Sequence, residues 1–154
     1  MSPVRRGHAA LRRGRASVTG QVYLVTFTTR DRRDWFTDPA AASVVARATA
    51  DRRLWTSSRL LAWVLMPDHW HGLVELGAHD YVPSLVQRVK ANTARQVRQA
   101  VPGIERVWAG AYHDRALRGE EQLIDAARYV VMNPVRAGLV RRVGDYPYWD
   151  AVWV

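Results

Sequence analysis

Apolar and polar positions alternate along Gln21 to Arg30 (QVYLVTFTTR), a stretch rich in β-branched and aromatic residues, and this two-residue period predicts a first strand. Asp38 followed by Pro39 is an N-cap with a first-turn proline, so an Ala/Val-rich helix is expected from there to about Arg53. Two apolar runs follow, Arg59 to Met66 and His69 to Leu76, joined at Pro67-Asp68, which suits a tight hairpin. Ser84 with Gln87 three residues on resembles a capping box, and Val86, Val89, Thr93, Val97 and Ala100 keep a helical period up to Pro102-Gly103. A further strand is expected within Val107 to Leu117. Gly119, Glu120 and Glu121 then open a last long helix, with acids at its positive end, that Pro134 is expected to stop or kink near Asn133.

The order is therefore strand, helix, strand, strand, helix, strand, helix. A hairpin inside such an alternation favours an α+β sandwich of one mostly antiparallel sheet with helices packed on it. Residues 1–20 carry Arg5, Arg6, Arg12, Arg13 and Arg15 without an acid or a clear period, and read as a basic N-terminal arm before a single domain over residues 21–154.

With 154 residues and 48% apolar content, the chain has enough core for one domain without disulfides. Cysteine is absent, which excludes thiol catalysis and thiolate metal sites. No apolar run is long enough to span a bilayer and no apolar core follows the basic start, so a cytoplasmic protein is expected. The formal net charge is +9 and Lys90 is the only lysine. Arginine's planar fork suits phosphate oxygens, which makes nucleic acid the first candidate partner. Arg88, Arg95 and Arg98 fall off the apolar stripe of the second helix, either as a basic face for a phosphate backbone or as an ordinary solvated face.

The chemistry concentrates at His69-Trp70-His71. Side chains alternate along a strand, so the two imidazoles project from one face while Trp70 and Val74 project from the other. Two neutral imidazoles so placed can share a divalent cation. The alternative is a pair of half-buried strand histidines that only hydrogen-bond. On the last helix Leu123, Ala126, Ala127 and Val130 form the apolar stripe, which leaves Tyr129 and Asn133 one turn apart on a neighbouring face. A phenol is a poor nucleophile until a nearby cation or base favours its ionised form.

Three segments in order, Ala62-Trp-Val-Leu-Met-Pro-Asp-His-Trp-His71, Tyr112-His-Asp-Arg-Ala-Leu-Arg118 and Arg128-Tyr-Val-Val-Met-Asn-Pro-Val-Arg-Ala-Gly-Leu-Val140, resemble the single-tyrosine transposases of the His-hydrophobic-His (HUH) superfamily, in particular the REP-associated tyrosine transposases of bacteria. The similarity runs from about residue 20 to Tyr148. It implies a ferredoxin-like, RRM-like fold that cuts and rejoins single-stranded DNA at palindromic repeat hairpins, in a bacterial, nucleoid-associated setting, as a monomer or homodimer. Carried over residue by residue, His69 and His71 match the metal-binding pair and Tyr129 the nucleophile, with Asn133 where relatives often place a third polar ligand. Mg²⁺ or Mn²⁺ is the implied cofactor. Arg5, Arg6, Arg12, Arg13, Arg88, Arg95, Arg98 and Arg115 are the candidate DNA contacts. His113 stands in a variable place and is not counted as a ligand.

Two other functions fit the same residues. One is a non-catalytic module, derived from a transposase, that binds structured DNA or RNA. The other is a metal nuclease that activates water and forms no protein-linked strand.

Overall fold

A computed structural model of the chain describes residues 19–154, so Arg5, Arg6, Arg12, Arg13 and Arg15 of the expected basic arm lie outside the described residues. The strands are β1 (Val22–Thr28), β2 (Arg59–Met66), β3 (His69–Glu75), β4 (His113–Ala116) and β5 (Trp149–Ala151); the helices are α1 (Pro39–Ala50), α2 (Val82–Ala100) and α3 (Gly119–Arg136). One five-stranded sheet runs β4-β1-β3-β2-β5, and every pairing in it is antiparallel. This is the expected ferredoxin-like α+β order with one more strand added at the β2 edge.

The sheet separates two cores, because alternate residues of each strand face opposite ways. On one face Tyr23, Val25, Phe27, Leu65, Trp70 and Val74 pack with the apolar stripes of α1 and α2. On the other, Ala62, Val64 and Leu73 meet Ala126 and Val130 of α3. Each fully buried large side chain contributes about 1.5–3 kcal/mol, so both faces hold their helices firmly. Trp70, stacked on Phe27 at 4.9 Å, is a core residue of the first face. Its neighbours His69 and His71 therefore emerge on the second face, under α3.

Several boundaries differ from the sequence reading. Asp38 caps α1 as expected, its side chain accepting from the Ala40 N–H, but the helix stops at Ala50, where Asp51 starts a 3₁₀ turn by accepting from the Arg53 N–H. Helix α2 begins at Val82, with Tyr81 as N-cap and Pro83 in its first turn. Ser84 thus sits inside the helix, and no capping box forms. Of the expected strand over Val107 to Leu117, four residues pair as β4, and Trp108 makes only an isolated bridge to Thr29.

Pro134 does not stop α3 at Asn133. Its ring sits close enough to the C-terminus that only the last turn is affected, and the helix continues to Arg136. There a Schellman closure ends it: Gly138 takes a φ of 78°, its N–H donates to the Val135 carbonyl, and the Leu139 N–H donates to the Pro134 carbonyl. The chain then returns to the sheet as β5, anchored by the Tyr146 hydroxyl, which donates to the Leu65 carbonyl. The C-terminal segment thereby lies along the β2 edge. Among the described residues no helix is long and apolar enough to cross a membrane.

Candidate active site

The β2–β3 hairpin sets the first half of the site. Met66 pairs with His69 across the Pro67-Asp68 turn, so His69 sits at the tip of the sheet and His71 one pleat further in. The two rings are 4.6 Å apart between centroids and nearly perpendicular, at 84°. Gly72 is required beside them for a packing reason: a Cβ there would collide with the Trp70 indole, which lies flat over it.

Each imidazole is tied through Nδ1. That of His69 is 2.7 Å from Asp68 Oδ1, and that of His71 is 2.7 Å from Thr26 Oγ1 on the adjacent strand β1. Neither Nε2 atom has a hydrogen-bond partner among the described residues. This is how a metal-ligating histidine is normally oriented, with one nitrogen fixed by a second group and the other left as the donor. Burial, reinforced by the charges of His69 and Arg136, holds His71 down at about 3, so at neutral pH its imidazole is uncharged, the form a metal requires. Burial alone would raise Asp68, but hydrogen bonds from His69 and Arg32 outweigh it and keep this carboxylate below its ordinary range. Arg32 reaches Asp68 Oδ2 at 3.0 Å from a turn in which Asp31 and Arg32 both take positive φ, 57° and 53°.

Helix α3 supplies the second half. Tyr129 is 45% exposed, and its ring centroid is 5.5 Å from that of His71, edge to face at 76°. Arg136, seven residues on and so on the same helix face, lays its guanidinium 4.3 Å above the Tyr129 ring and donates to the Tyr129 carbonyl at 2.7 Å. Asn133 lies one turn after Tyr129 and is 8% exposed. Its Nδ2 is buried without a hydrogen-bond partner. Turning that carboxamide over places an oxygen where the unpartnered nitrogen stands. Among the described residues no three His, Cys, Asp or Glu side chains cluster for a metal.

The arginines scatter. Arg115 of β4 registers with Leu24 and is exposed on the same sheet face as His71, while His113 registers with Thr26 and so falls in line with His71 two strands away. Arg88, Arg95 and Arg98 belong to α2, on the opposite face. The Arg88 guanidinium is forked onto Asp80, with Nη1 at 3.1 Å from Oδ1 and Nη2 at 2.7 Å from Oδ2. Arg95 lines a recess with Asp51 and Arg53, and Arg98 borders a separate groove.

Comparison with known proteins identifies the family and the fold. The profile of the family described as "Transposase IS200 like" matches residues 17–133, a span that includes His69, His71, Tyr129 and Asn133. The chain belongs to the IS200-like transposase family. A REP-associated tyrosine transposase of Escherichia coli K12 is 29% identical over 89 residues, 56% of this chain, and the match spans about half the length of that relative. The structure of a REP-associated tyrosine transposase bound to a REP hairpin has a TM-score of 0.67 at 23% identity, with 97% of this chain and 82% of that one covered. A candidate transposase of Deinococcus radiodurans R1 gives 0.54 at 20% identity, with 82% and 95% covered.

Four residues of this candidate site are not singled out by the sequence. Thr26 occupies a site-facing position of β1, but only the register of β1 on β3 reveals that it meets His71. Asp68 reads as a turn residue in the sequence, although its place directly before His69 makes it available to that ring. Arg136 was visible as two helical turns beyond Tyr129. Arg32 left no signal, since a non-glycine turn with positive φ has no pattern in the chain.

Proposed function

We propose that this protein is a metal-dependent endonuclease and strand transferase that acts on single-stranded DNA at hairpins and forms a 5′-phosphotyrosine at Tyr129. The observation that carries the reading is the Tyr129 ring beside His71, 5.5 Å away, with the Nδ1 atoms of both histidines already engaged and their Nε2 atoms free. In this reading His69, His71 and the Asn133 carboxamide hold Mg²⁺ or Mn²⁺. A cation so held supplies charge neutralisation and polarisation at the scissile phosphate.

The chain's own residues do the rest. The Tyr129 oxygen attacks phosphorus, its proton leaves, the bond from phosphorus to the 3′ oxygen breaks, and that oxygen takes up a proton as a free hydroxyl. Arg136 lies over the attacking ring, where its fixed charge favours the negative charge gathering on the phosphate. The phosphotyrosyl ester keeps the free energy of the diester, so a 3′ hydroxyl held in place reverses the step and joins strands without ATP. Arg115, on the site face, and the arm's Arg5, Arg6, Arg12 and Arg13 contact DNA in this reading, as do Arg95 and Arg98; Arg88 acts first on the fold, through Asp80.

Incubating the protein with Mg²⁺ and a labelled hairpin oligonucleotide carrying an unpaired flank tests this. A strand linked to protein, lost with chelator and in His69→Ala and His71→Ala variants, supports the reading. Cleavage with no linked strand supports water activation, and tight binding with no cleavage supports the non-catalytic module.

A further inference from the structure

Strand β1 ends against the hairpin that carries the two histidines. Thr28 pairs with His69, and the next residue, the buried Thr29, donates its N–H to the Asp68 carbonyl at 2.9 Å. The chain then turns sharply. Asp31 and Arg32 take φ of 57° and 53° in succession, the Arg32 N–H donates back to the Thr29 carbonyl at 3.1 Å, and the Thr29 hydroxyl donates to the Arg33 carbonyl at 2.6 Å. Further on, the Phe36 N–H donates to the Pro67 carbonyl at 3.1 Å. The segment after β1 is thus fastened through the backbone to both residues of the Pro67-Asp68 corner. Its turn brings the Arg32 guanidinium onto the Asp68 side chain, with Nε and Nη2 each 3.0 Å from Oδ2.

Stability does not account for this turn. The left-handed region is unfavourable for an L-residue such as arginine, and it is occupied here twice in succession. The contact that the turn delivers is an ion pair whose arginine side chain is 62% exposed, a kind that usually contributes little to folding. Strained backbone of this sort persists where surrounding bonds over-determine it, and it points to a function for the group that it places. The line of contacts ends at His69. Asp68 Oδ1 stands 2.7 Å from His69 Nδ1, and an ionised carboxylate can only accept, so in the neutral ring Nδ1 carries the proton and Nε2 is bare. With Oδ2 held by Arg32, the carboxylate cannot swing into water and leave the ring proton free to move to Nε2.

We infer that Arg32 is a positioning residue for His69: through Asp68 it fixes the imidazole as the Nδ1–H tautomer and leaves Nε2 bare. The strained turn serves this placement. The consequence for a cation rests on the metal reading above, and none of it rests on Tyr129 being the nucleophile.

Long-range ¹⁵N–¹H NMR of the metal-free protein reads which ring nitrogen of each histidine bears the proton, with His69→Ala assigning the signals. The parent is expected to show His69 as Nδ1–H, and Arg32→Met, which keeps the aliphatic stem, to show a mixture with Nε2–H. Titration calorimetry with Mn²⁺ should then give about 10–100-fold weaker binding in Arg32→Met, the usual loss when a group supporting a ligating histidine is removed. The sign is diagnostic, because removing a positive charge near a cation would by itself tighten binding. Arg33→Met, which removes the same charge from the exposed neighbouring residue, is expected not to weaken it, and Arg32→Lys, which retains a donor, is expected to recover part of the loss. Asp68→Asn combined with Arg32→Met should bind Mn²⁺ no more weakly than Asp68→Asn alone, since Arg32 acts through that carboxylate. An Nε2–H ring in the parent, an unchanged tautomer in Arg32→Met, an equal weakening in Arg33→Met, or additive losses in the double variant overturns the inference. A tautomer shift in Arg32→Met alongside Mn²⁺ binding that His69→Ala does not weaken supports the positioning role and overturns the metal reading.

Discussion

Tyr129 and His71 come from elements separated by 58 positions in sequence, yet their rings meet edge to face at 5.5 Å because α3 packs across β2 and β3. The contact joins a half-exposed phenol to a buried, neutral imidazole. Neither ring is placed by the other; each is placed by its own backbone element, which makes the site's parts separable by mutation.

Thr26 fixes the His71 ring from strand β1 at 2.7 Å. Thr26→Val keeps the shape and removes the hydrogen bond, and losses of 10–100-fold in metal affinity are typical when such a supporting group is removed. Titration calorimetry with Mn²⁺ should show a loss in that range, with Thr26→Ser near the parent value. Unchanged affinity in Thr26→Val would mean that the Nδ1 contact does not prepare a ligand.

Arg136 touches Tyr129 twice, through its ring face and its carbonyl. In Arg136→Gln the rate of adduct formation should fall on the order of 10²-fold, the scale seen when one preorganised charge-stabilising donor is removed, with hairpin affinity little changed. Arg136→Lys should recover only part, since an ammonium cannot stack as the planar guanidinium does. Equal losses in rate and in affinity would assign Arg136 to binding instead.

Asp80 is 2% exposed in its side chain and accepts from Arg88 and Ser58. Burial alone would raise it, but these bonds and the Tyr81 N–H outweigh that and hold the carboxyl below its ordinary range. A depressed folded-state pKa contributes stability that is complete above the unfolded value of about 3.9 and is lost as pH falls through the folded one. Urea midpoints of the parent should therefore decline through that acid window, and those of Asp80→Asn should decline less. At neutral pH Arg88→Ala should cost about 1–3 kcal/mol, towards the low end because Ser58 still donates to the carboxylate. A stability profile in Asp80→Asn identical to the parent's contradicts this.

Gly72 lies under the Trp70 indole with no room for a side chain. Gly72→Val should destabilise by about 1–3 kcal/mol, the usual range for overpacking, and should disturb the strand that carries both histidines. Thermal unfolding measures the first effect and Mn²⁺ affinity the second. A fully stable variant would show that the indole can move aside freely.

What could be read from the chain was what depends on short spacing. The alternation around His69 and His71 put both rings on one face, the Asp38-Pro39 cap placed the start of α1, and the four-residue step from Tyr129 to Asn133 put them together on α3. What could not be read depended on register or on strain. The partnership of Thr26 with His71 follows from β1 pairing with β3, and no local pattern encodes it. Strand β5 forms because Trp149–Ala151 finds the free edge of β2, a long-range event for three residues with little strand signal of their own. Ser84 looked like a cap because its hydroxyl spacing is right, but Pro83 suits the first helical turn and moved the helix start ahead of it.

The most direct measurement is the chemical identity of the protein–DNA link. After reaction with Mg²⁺ and a flanked hairpin, digestion and mass spectrometry should find the nucleotide esterified through a 5′ phosphate to the peptide bearing Tyr129, and Tyr129→Phe should give no linked peptide while binding DNA as before. A nucleotide attached to any other residue, or an undiminished adduct in Tyr129→Phe, would contradict the account.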